Sequence, residues 1–166
     1  MDSKQIEEMD KNFILNIISS MKERYNLNEK ELIELILSQK NEITIPTSIF
    51  NNTLGPLETV VKYLKENIDL RFSEISRLLK RSSTTIWITY RNASIKYHDK
   101  FIISDEGYNI PIFIFEDDQL SILEAIVLYF RTNLTLSLKQ ISGLLKRDNR
   151  TIWTCYYRAK KKKNIK

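Results

Sequence analysis

The sequence predicts an all-α fold made of two copies of one three-helix unit, preceded by an amino-terminal helical hairpin. Three observations predict it: a long internal repeat, apolar residues three and four apart within each copy, and capping residues at the expected helix starts. The phrase LLKRSSTTIW at 78–87 returns as LLKRDNRTIW at 144–153. A chain of 166 residues is long enough to bury one core or two small ones.

The repeat extends well beyond that phrase. At an offset of 66 residues many side chains recur unchanged, among them Leu54, Leu57, Glu58, Val61, Tyr63, Asn67, Leu70, Ile75, Ser76, Leu78, Leu79, Lys80, Arg81, Thr85, Ile86, Trp87, Tyr90 and Ala93. Upstream, ITIPTSIF at 43–50 matches NIPIFIF at 109–115 with an offset of 65. The predicted domains are therefore the hairpin at 1–42, a first unit at 43–97, an acidic linker at 98–108 and a second unit at 109–166 that ends in a basic tail.

The amino-terminal segment reads as two amphipathic helices. Apolar residues mostly three or four apart predict the first helix over residues 3–25: Ile6, Met9, Phe13, Ile17, Met21 and Tyr25. Asn28 and Glu31 have capping-box spacing and predict the start of the second. Because this segment is acidic, we expect it to cap the first unit or to pair with another protomer as a homodimer, rather than to contact a polyanion.

Within each unit, apolar spacing and caps predict three helices. The first carries Leu54, Leu57, Val61 and Leu64, or Leu120, Leu123, Val127 and Phe130; the second carries Phe72, Ile75, Leu78 and Leu79, or Leu138, Ile141, Leu144 and Leu145. Ser137 with Gln140 forms a capping box, whereas Arg71 is a poor cap in the first copy. Ser82 and Asp148 are good N-caps for the third helix.

The third helix has two different faces. Its inner face is predicted to carry Ile86, Tyr90 and Ala93 in the first copy and Ile152, Tyr156 and Ala159 in the second. The lead-ins ITIPTSIF and IPIFIF suit either a pair of short strands or extended arms, and their prolines argue against a central sheet strand. The linker, with a turn at Asp105 to Gly107, is expected to separate the two units.

Two long helices with a short one between them and a tight turn before the last are typical of a helix-turn-helix domain. The pattern Leu-x-x-Leu-Glu followed by S-x-E-I-S-x-L-L-K-R-S-x-x-T-I-W-x-x-Y resembles the helix-turn-helix of the sigma-factor promoter-reading region and of LuxR-type regulators. It covers about 45 residues in each copy. The Trp after Thr-Ile departs from the usual sigma pattern.

The resemblance implies which side chains would meet DNA. The residues expected to read bases are Ser83, Thr84, Ile88 and Arg91 in the first copy, and Asn149, Arg150, Thr154 and Tyr157 in the second. The residues expected to bind phosphate are Lys80, Arg81, Lys146 and Arg147 at the turns, and Arg158, Lys160, Lys161, Lys162 and Lys163 in the tail, which is expected to be a frayed helix end. The alternative for the turn cations is an exposed helix end where they favour the negative pole of the helix dipole.

Four further residues have competing interpretations. Trp87 and Trp153 are expected either to pack over the first helix as a lid or to lie along the DNA backbone, and the lid is favoured because aromatic residues at helical spacing usually belong to the core. His98 is expected to be a solvated linker residue, and Cys155 a small helix residue packed toward the core.

Charge distribution favours a nucleic-acid partner. The net charge is +5, but residues 51–97 carry 8 Lys and Arg against 4 Asp and Glu, and residues 120–166 carry 11 against 2. Residues 98–119 carry 1 against 6. The repeated phrases lie in the two basic blocks. This distribution is what a surface that binds a polyanion needs.

Other classes of function lack their residues. One Cys and one His leave no disulfide and no Cys/His zinc cluster, and three glycines leave no phosphate loop. We therefore predict no enzyme, no cofactor and no metal. No apolar run approaches the roughly 20 residues that a membrane span needs, so we also predict no membrane span, and a cytoplasmic, nucleoid-associated protein.

The function predicted from the sequence is sequence-specific binding of double-stranded DNA by a transcriptional regulator with two non-equivalent recognition helices. The alternatives are a sequence-indifferent architectural protein that bridges or compacts DNA, and a protein-interaction adaptor of the transcription machinery, with RNA polymerase as its partner. DNA selectivity and salt dependence separate the first two, and absence of DNA binding would favour the third.

Overall fold

The structure, a computed structural model, describes residues 43–164 and, ahead of them, residues 16, 18–20, 22, 24, 28 and 31. The chain divides into two compact units, residues 1–42 and 43–166. Asn28 and Glu31 form the predicted capping box: the backbone N–H of Asn28 donates to Glu31 Oε2 at 2.8 Å, and that of Glu31 to Asn28 Oδ1 at 2.9 Å. Residues 16, 18–20, 22 and 24, within the first predicted helix, are helical. The other residues of the predicted hairpin, and the surface proposed for a homodimer, lie outside the described residues.

The compact unit formed by residues 43–166, which includes both predicted three-helix units, is mostly helical and contains one two-stranded sheet. Its elements are β1 (Thr44–Pro46), α1 (Pro56–Glu66), α2 (Phe72–Leu78), α3 (Ser83–Lys96), β2 (Asn109–Pro111), α4 (Ile122–Thr132), α5 (Leu138–Leu145) and α6 (Asn149–Lys162), with short 3-10 helices at Thr47–Ile49 and Ile112–Phe115. We call β1 to α3 the first repeat and β2 to α6 the second repeat. None of the helices in the described part of the chain has the length and apolarity needed to cross a lipid bilayer.

Three helices, α3, α5 and α6, begin where the caps predict, whereas α1 and α4 begin only after Leu54 and Leu120, which were predicted to lie on them. The Ser137 side chain accepts from the backbone N–H of Gln140, whose Oε1 accepts from the N–H of Ser137 at 2.8 Å. Arg71 provides no side-chain cap for α2, but the Glu74 carboxylate accepts from its backbone N–H at 2.7 Å. The acidic half of a capping box is therefore enough to start this helix.

The two repeats share one hydrophobic core. Within each repeat the first helix packs against the third, and α1 also packs against α4 across the two repeats. The fully buried side chains include Val61 and Ile86 in the first repeat and Val127 and Ile152 in the second. Burying an aliphatic side chain stabilises a fold by about 1.5–3 kcal/mol, so a core that draws on both repeats ties them together.

The two lead-ins pair as antiparallel strands rather than lying as separate arms. Ile45 pairs with Ile110, and the pairs Thr44 with Pro111 and Pro46 with Asn109 flank it. Both prolines are tolerated because a sheet of two strands consists of edges only. Ile45 and Ile110 are both fully buried, so this pair of strands, β1 with β2, which we call the ribbon, forms part of the core.

The linker packs against the rest of the 43–166 unit. The sequence suggested instead that it would separate the two three-helix units. The Phe101 ring is buried and stacks on Tyr97 at 5.3 Å between centroids. Asn67 Nδ2 donates to the carbonyl of Phe101 at 2.9 Å. The predicted bend before β2 is present, and it has Gly107 at a φ of +108°, where glycine is favoured.

Two arginines reach across from one repeat to the other at equivalent positions. In the first repeat, Arg81 Nη2 donates to the carbonyl of Leu120 at 2.9 Å. In the second, Arg147 Nη1 donates to the carbonyl of Asn51 at 3.1 Å and its Nη2 donates to that of Leu54. Arg81 corresponds to Arg147, and Leu54 to Leu120, at the repeat offset of 66. We call this reciprocal pair of contacts the arginine clasp.

The clasp is expected to contribute to stability. Arg147→Ala leaves the Asn51 and Leu54 carbonyls without their charged donor and should lower the free energy of unfolding by about 2 kcal/mol in urea titrations. Lys146→Ala is the matched control, because Lys146 is exposed on the same turn, and it should change stability by less than about 0.5 kcal/mol. Equal losses in the two variants would contradict the clasp.

Backbone strain at Thr135 in the second repeat predicts a substitution that raises the free energy of unfolding. Thr135 is exposed and has a φ of +53°, a conformation that costs a β-branched residue about 1–2 kcal/mol. The equivalent residue is Asp69, at +61°. Thr135→Asn should therefore raise the free energy of unfolding by about 1 kcal/mol. The same change at Thr151, exposed and helical, should have little effect; no gain at Thr135 would contradict the strain.

Candidate nucleic-acid interface

The amino-terminal ends of α3 and α6 are held in the same way. Ser82 Oγ accepts from the backbone N–H of Thr85 at 3.1 Å, and Asp148 Oδ1 accepts from that of Arg150 at 2.8 Å. The preceding turns have Lys80 and Lys146 in the left-handed conformation, each with a φ of +50°. These caps and turns fix the direction in which each helix leaves the turn.

The turns are closed by a second equivalent pair of hydrogen bonds. Ser76 Oγ donates to the carbonyl of Arg81 at 2.5 Å, and Ser142 Oγ donates to that of Arg147 at 2.6 Å. Both serines recur at the repeat offset. The turn geometry is therefore a property of the repeated sequence and does not depend on the residues that differ between the copies.

The outer faces of α3 and α6 carry the side chains predicted to read bases. In the first repeat Ser83, Thr84, Ile88 and Arg91 are exposed; in the second Asn149, Arg150 and Tyr157 are exposed and Thr154 is half-buried. Thr154 Oγ1 donates to the carbonyl of Arg150 at 2.8 Å, so its methyl group is the part left for an apolar contact. On the inner faces Ile86, Ala93, Ile152 and Ala159 are fully buried.

The two tryptophans are not a lid, and that preferred interpretation is wrong. Trp87 is 48% exposed and Trp153 is 55% exposed, because both lie on the outer faces of their helices. Arg91 lies over the Trp87 ring at 5.7 Å, and Trp153 stacks on Tyr157 at 5.6 Å with the ring planes 7° apart. Each outer face therefore combines an aromatic ring with the polar side chains.

Several predicted phosphate ligands are occupied by internal contacts. Arg81 and Arg147 form the arginine clasp. Lys162 Nζ donates to Glu124 Oε2 at 2.7 Å and to the carbonyl of Gln119 at 3.0 Å, and Lys163 is ion-paired with Asp117. Because α6 continues through Lys162, the tail up to that residue is helix rather than the frayed end expected from its sequence.

The remaining predicted phosphate ligands differ in accessibility. Lys80, Lys146, Arg158 and Lys161 are exposed, and Lys160 is half-buried with its ammonium 5.9 Å from the Tyr156 ring centroid. The turn lysines adjoin the capped helix starts, whereas the others follow the length of α6. Of these four exposed residues, three lie in the second repeat and one, Lys80, in the first.

A lysine brace joins the third helix to the first in each repeat. Lys96 Nζ lies 2.6 Å from Glu58 Oε1, and Lys162 Nζ lies 2.7 Å from Glu124 Oε2. The glutamates also accept from the backbone N–H groups of Gly55 and Ser121, at 2.8 Å in both cases. One carboxylate thus caps the first helix and holds the end of the third.

In the second repeat the lysine brace lowers the pKa of its glutamate, Glu124. Burial raises the pKa of Glu124. The hydrogen bonds from Lys162 and from the Ser121 backbone lower the pKa by more than burial raises it, so the net shift is downward. The hydrogen bond from Lys163 likewise lowers the pKa of Asp117. Both carboxylates therefore favour the ionised form in the folded protein.

Two other residues lie where the sequence placed them. His98 is exposed at the start of the linker. Cys155 is half-buried against the core, and burial raises the pKa of its thiol. Neither residue belongs to the outer faces of the third helices.

The sequence interpretation missed the structural role of the arginine clasp and of the lysine brace. The signal for both is in the repeat, because Arg81, Leu54, Glu58 and Lys96 all recur at the same offset. Comparison with protein families, with curated proteins and with solved structures gives no match.

The lysine brace predicts a dependence of stability on pH. Because the pKa of Glu124 is lowered in the folded state, its stabilisation is complete above its ordinary value of 4.5 and is lost as the pH falls through the lowered value. Glu124→Gln should therefore cost about 1 kcal/mol at pH 7 and progressively less under acidic conditions, measured by urea unfolding at a series of pH values. Glu116→Gln, an exposed control, should cost little at any pH; a pH-independent loss in Glu124→Gln would contradict the ionic contribution.

Proposed function

We propose that the chain is a sequence-specific double-stranded DNA-binding protein that acts as a transcriptional regulator, with two tandem helix-turn-helix units whose recognition helices are α3 and α6. The observation that carries the proposal is that both helices have a capped, fixed amino-terminal end and an outer face of exposed side chains able to contact bases.

The residues on those faces suit direct reading of the major groove. Arg150 can donate two hydrogen bonds to guanine, Asn149 can bond adenine in the same bidentate way, and Ile88 can contact the methyl group of thymine. Since equivalent positions hold different residues in the two repeats, the two halves of the target should differ in sequence. Lys80 and Lys146, exposed at the turns, are suited to hold phosphates and to fix register.

The exposed tryptophans extend this assignment. Each lies one turn after the residues nearest the cap, on the outer face, where an indole N–H can donate to a phosphate oxygen. Arg158 and Lys161 along α6 add sequence-independent attraction, since neutralising phosphates releases counterions.

A second candidate function, an adaptor that binds a protein of the transcription machinery such as RNA polymerase, is favoured by one feature of the first repeat. α3 exposes Trp87, Ile88 and Ile95, and Phe72 and Tyr90 line an apolar groove beside Trp87 and Ile95. Exposed aromatic and aliphatic side chains beside a groove are typical of protein-binding surfaces. An adaptor would bind no duplex even at low salt, which separates the two candidates.

The test is selection from a random duplex pool, followed by anisotropy titration of the selected site and a scrambled control at several salt concentrations. Arg150→Ala should weaken binding to the selected site by about 1–3 kcal/mol and relax preference in one half of it, with little effect on the scramble. Thr84→Ala should relax the other half.

Arg158→Ala is the matched control, because it removes the same side chain two turns further along α6. It should weaken the selected and the scrambled duplex equally and make the salt dependence shallower. Equal affinity of the unsubstituted protein for the selected and scrambled duplexes would refute sequence-specific reading and favour an architectural protein.

A further inference from the structure

We infer that the DNA site is an inverted repeat with unlike halves at one fixed spacing, because the two repeats of the chain are related by an approximate two-fold axis and are held rigidly together. This inference rests on the proposed function, and it specifies the arrangement of the target.

The axis passes between the central residues of the ribbon. Ile45 and Ile110 are equivalent at the lead-in offset of 65, and they pair with each other in antiparallel strands. When one sequence pairs with a copy of itself in antiparallel orientation, a rotation of 180° exchanges the two strands. The flanking pairs obey the same rotation, because it exchanges Thr44 with Asn109 and Pro46 with Pro111.

Backbone hydrogen bonds beyond the ribbon follow the same symmetry. The Thr47 N–H donates to the carbonyl of Tyr108 at 2.9 Å, and the Ile112 N–H donates to that of Ile43 at 3.0 Å. The rotation converts the first of these bonds into the second. The arginine clasp is reciprocal in the same way, at the later offset of 66.

A two-fold relation between the repeats dictates the orientation of the half-sites. If each repeat contacts DNA with its own third helix, the two contacted segments must be related by the same rotation. Duplex DNA has two-fold axes perpendicular to its length, so such segments run in opposite directions, as half-sites do for symmetric dimers. A direct repeat would need the units to be related by translation.

Both recognition helices start beside the boundary between the repeats. Arg81 directly precedes the cap of α3 and contacts the carbonyl of Leu120 in the second repeat, while Arg147 directly precedes the cap of α6 and contacts the first repeat. Since the amino-terminal end of a recognition helix is the part that enters the groove, a duplex contacted by both helices must lie across this boundary.

The spacing is fixed because the ribbon, the contact between α1 and α4 and the arginine clasp hold the two repeats together, and the linker is packed against the first repeat. Asn67 holds the carbonyl of Phe101, and Ser48 and Ser104 are bonded to each other at 3.3 and 3.4 Å. A flexible tether would allow the units to follow a change in spacing. Here they must keep one separation.

The first experiment uses the unsubstituted protein and its selected duplex. Reversing one half of the site in place, which converts an inverted arrangement into a direct one, should reduce affinity about tenfold or more. Inserting 5 base pairs, about half a helical turn, should have a similar effect because it moves one half-site to the opposite face.

The second experiment makes the two outer faces alike. A variant with Ser83→Asn, Thr84→Arg, Ile88→Thr and Arg91→Tyr carries the outer-face residues of α6 on α3, and all four positions are exposed, so folding should be retained and is checked by thermal unfolding. It should prefer a true palindrome built from the half-site that Arg150 reads, about tenfold or more over the direct repeat of that half-site.

The outcomes separate this inference from the proposed function. Preference for a direct repeat, tolerance of the insertion, or binding of two separate duplexes by one chain in sedimentation would overturn the inverted arrangement while sequence-specific reading stands. Equal binding of selected and scrambled duplexes would overturn both.

Discussion

The antiparallel pairing of Ile45 with Ile110 is the constraint on which the arrangement of the repeats depends. It joins two copies of one lead-in about their own midpoint, and a rotation of 180° about that midpoint exchanges the two strands. The 3-10 helices, the contact between α1 and α4 and the arginine clasp are all consistent with that relation. A pairing shifted by one residue would turn the buried isoleucines to the opposite face, so burial of both side chains also fixes the register.

The ribbon does not stand alone, because a two-stranded sheet is marginally stable in water. Its stability comes from the core beneath it, where Ile45, Phe50, Ile110 and Phe115 are buried. The arginine clasp also orients the third helices. Each guanidinium donates to carbonyl oxygen in the segment that leads into the first helix of the other repeat, and the same arginine immediately precedes the N-cap of its own third helix. Core burial thus stabilises the unit, and the clasp relates the start of each third helix to the opposite repeat.

Local features of the fold could be predicted from the sequence, and long-range ones could not. Periodicity and caps predicted the helices, the buried face with Ile86 and Ile152, and the outward face with Arg150, because both signals act within one or two turns. The partners of Arg81 and Lys162 could not be predicted, since they depend on how distant segments pack. Trp87 was misjudged for a related reason: helical spacing identifies a face, but only the packing shows whether anything covers it.

The burial of Lys62 could not be predicted either, because lysine is rarely fully buried. Lys62 is fully buried with its ammonium 2.7 Å from the Glu66 carboxylate, and the equivalent position in the other repeat is Leu128.

Because the two repeats belong to one chain, their third helices can carry different residues, which is not possible in a homodimer. In a homodimer both recognition helices carry the same residues, so both halves of a symmetric site are read alike. Here the residues that maintain the arrangement are the same in both repeats, including Arg81 and Arg147, whereas the outer-face residues Thr84 and Arg150 differ. Basic residues are unequal as well, with two in α3 and five in α6. If both helices bind a duplex as proposed, α6 should have the greater attraction for phosphate, although its Lys162 is paired with Glu124. If the proposed DNA binding is correct, a two-fold frame with two different outer faces would suit an asymmetric target, on which the protein would bind in only one orientation.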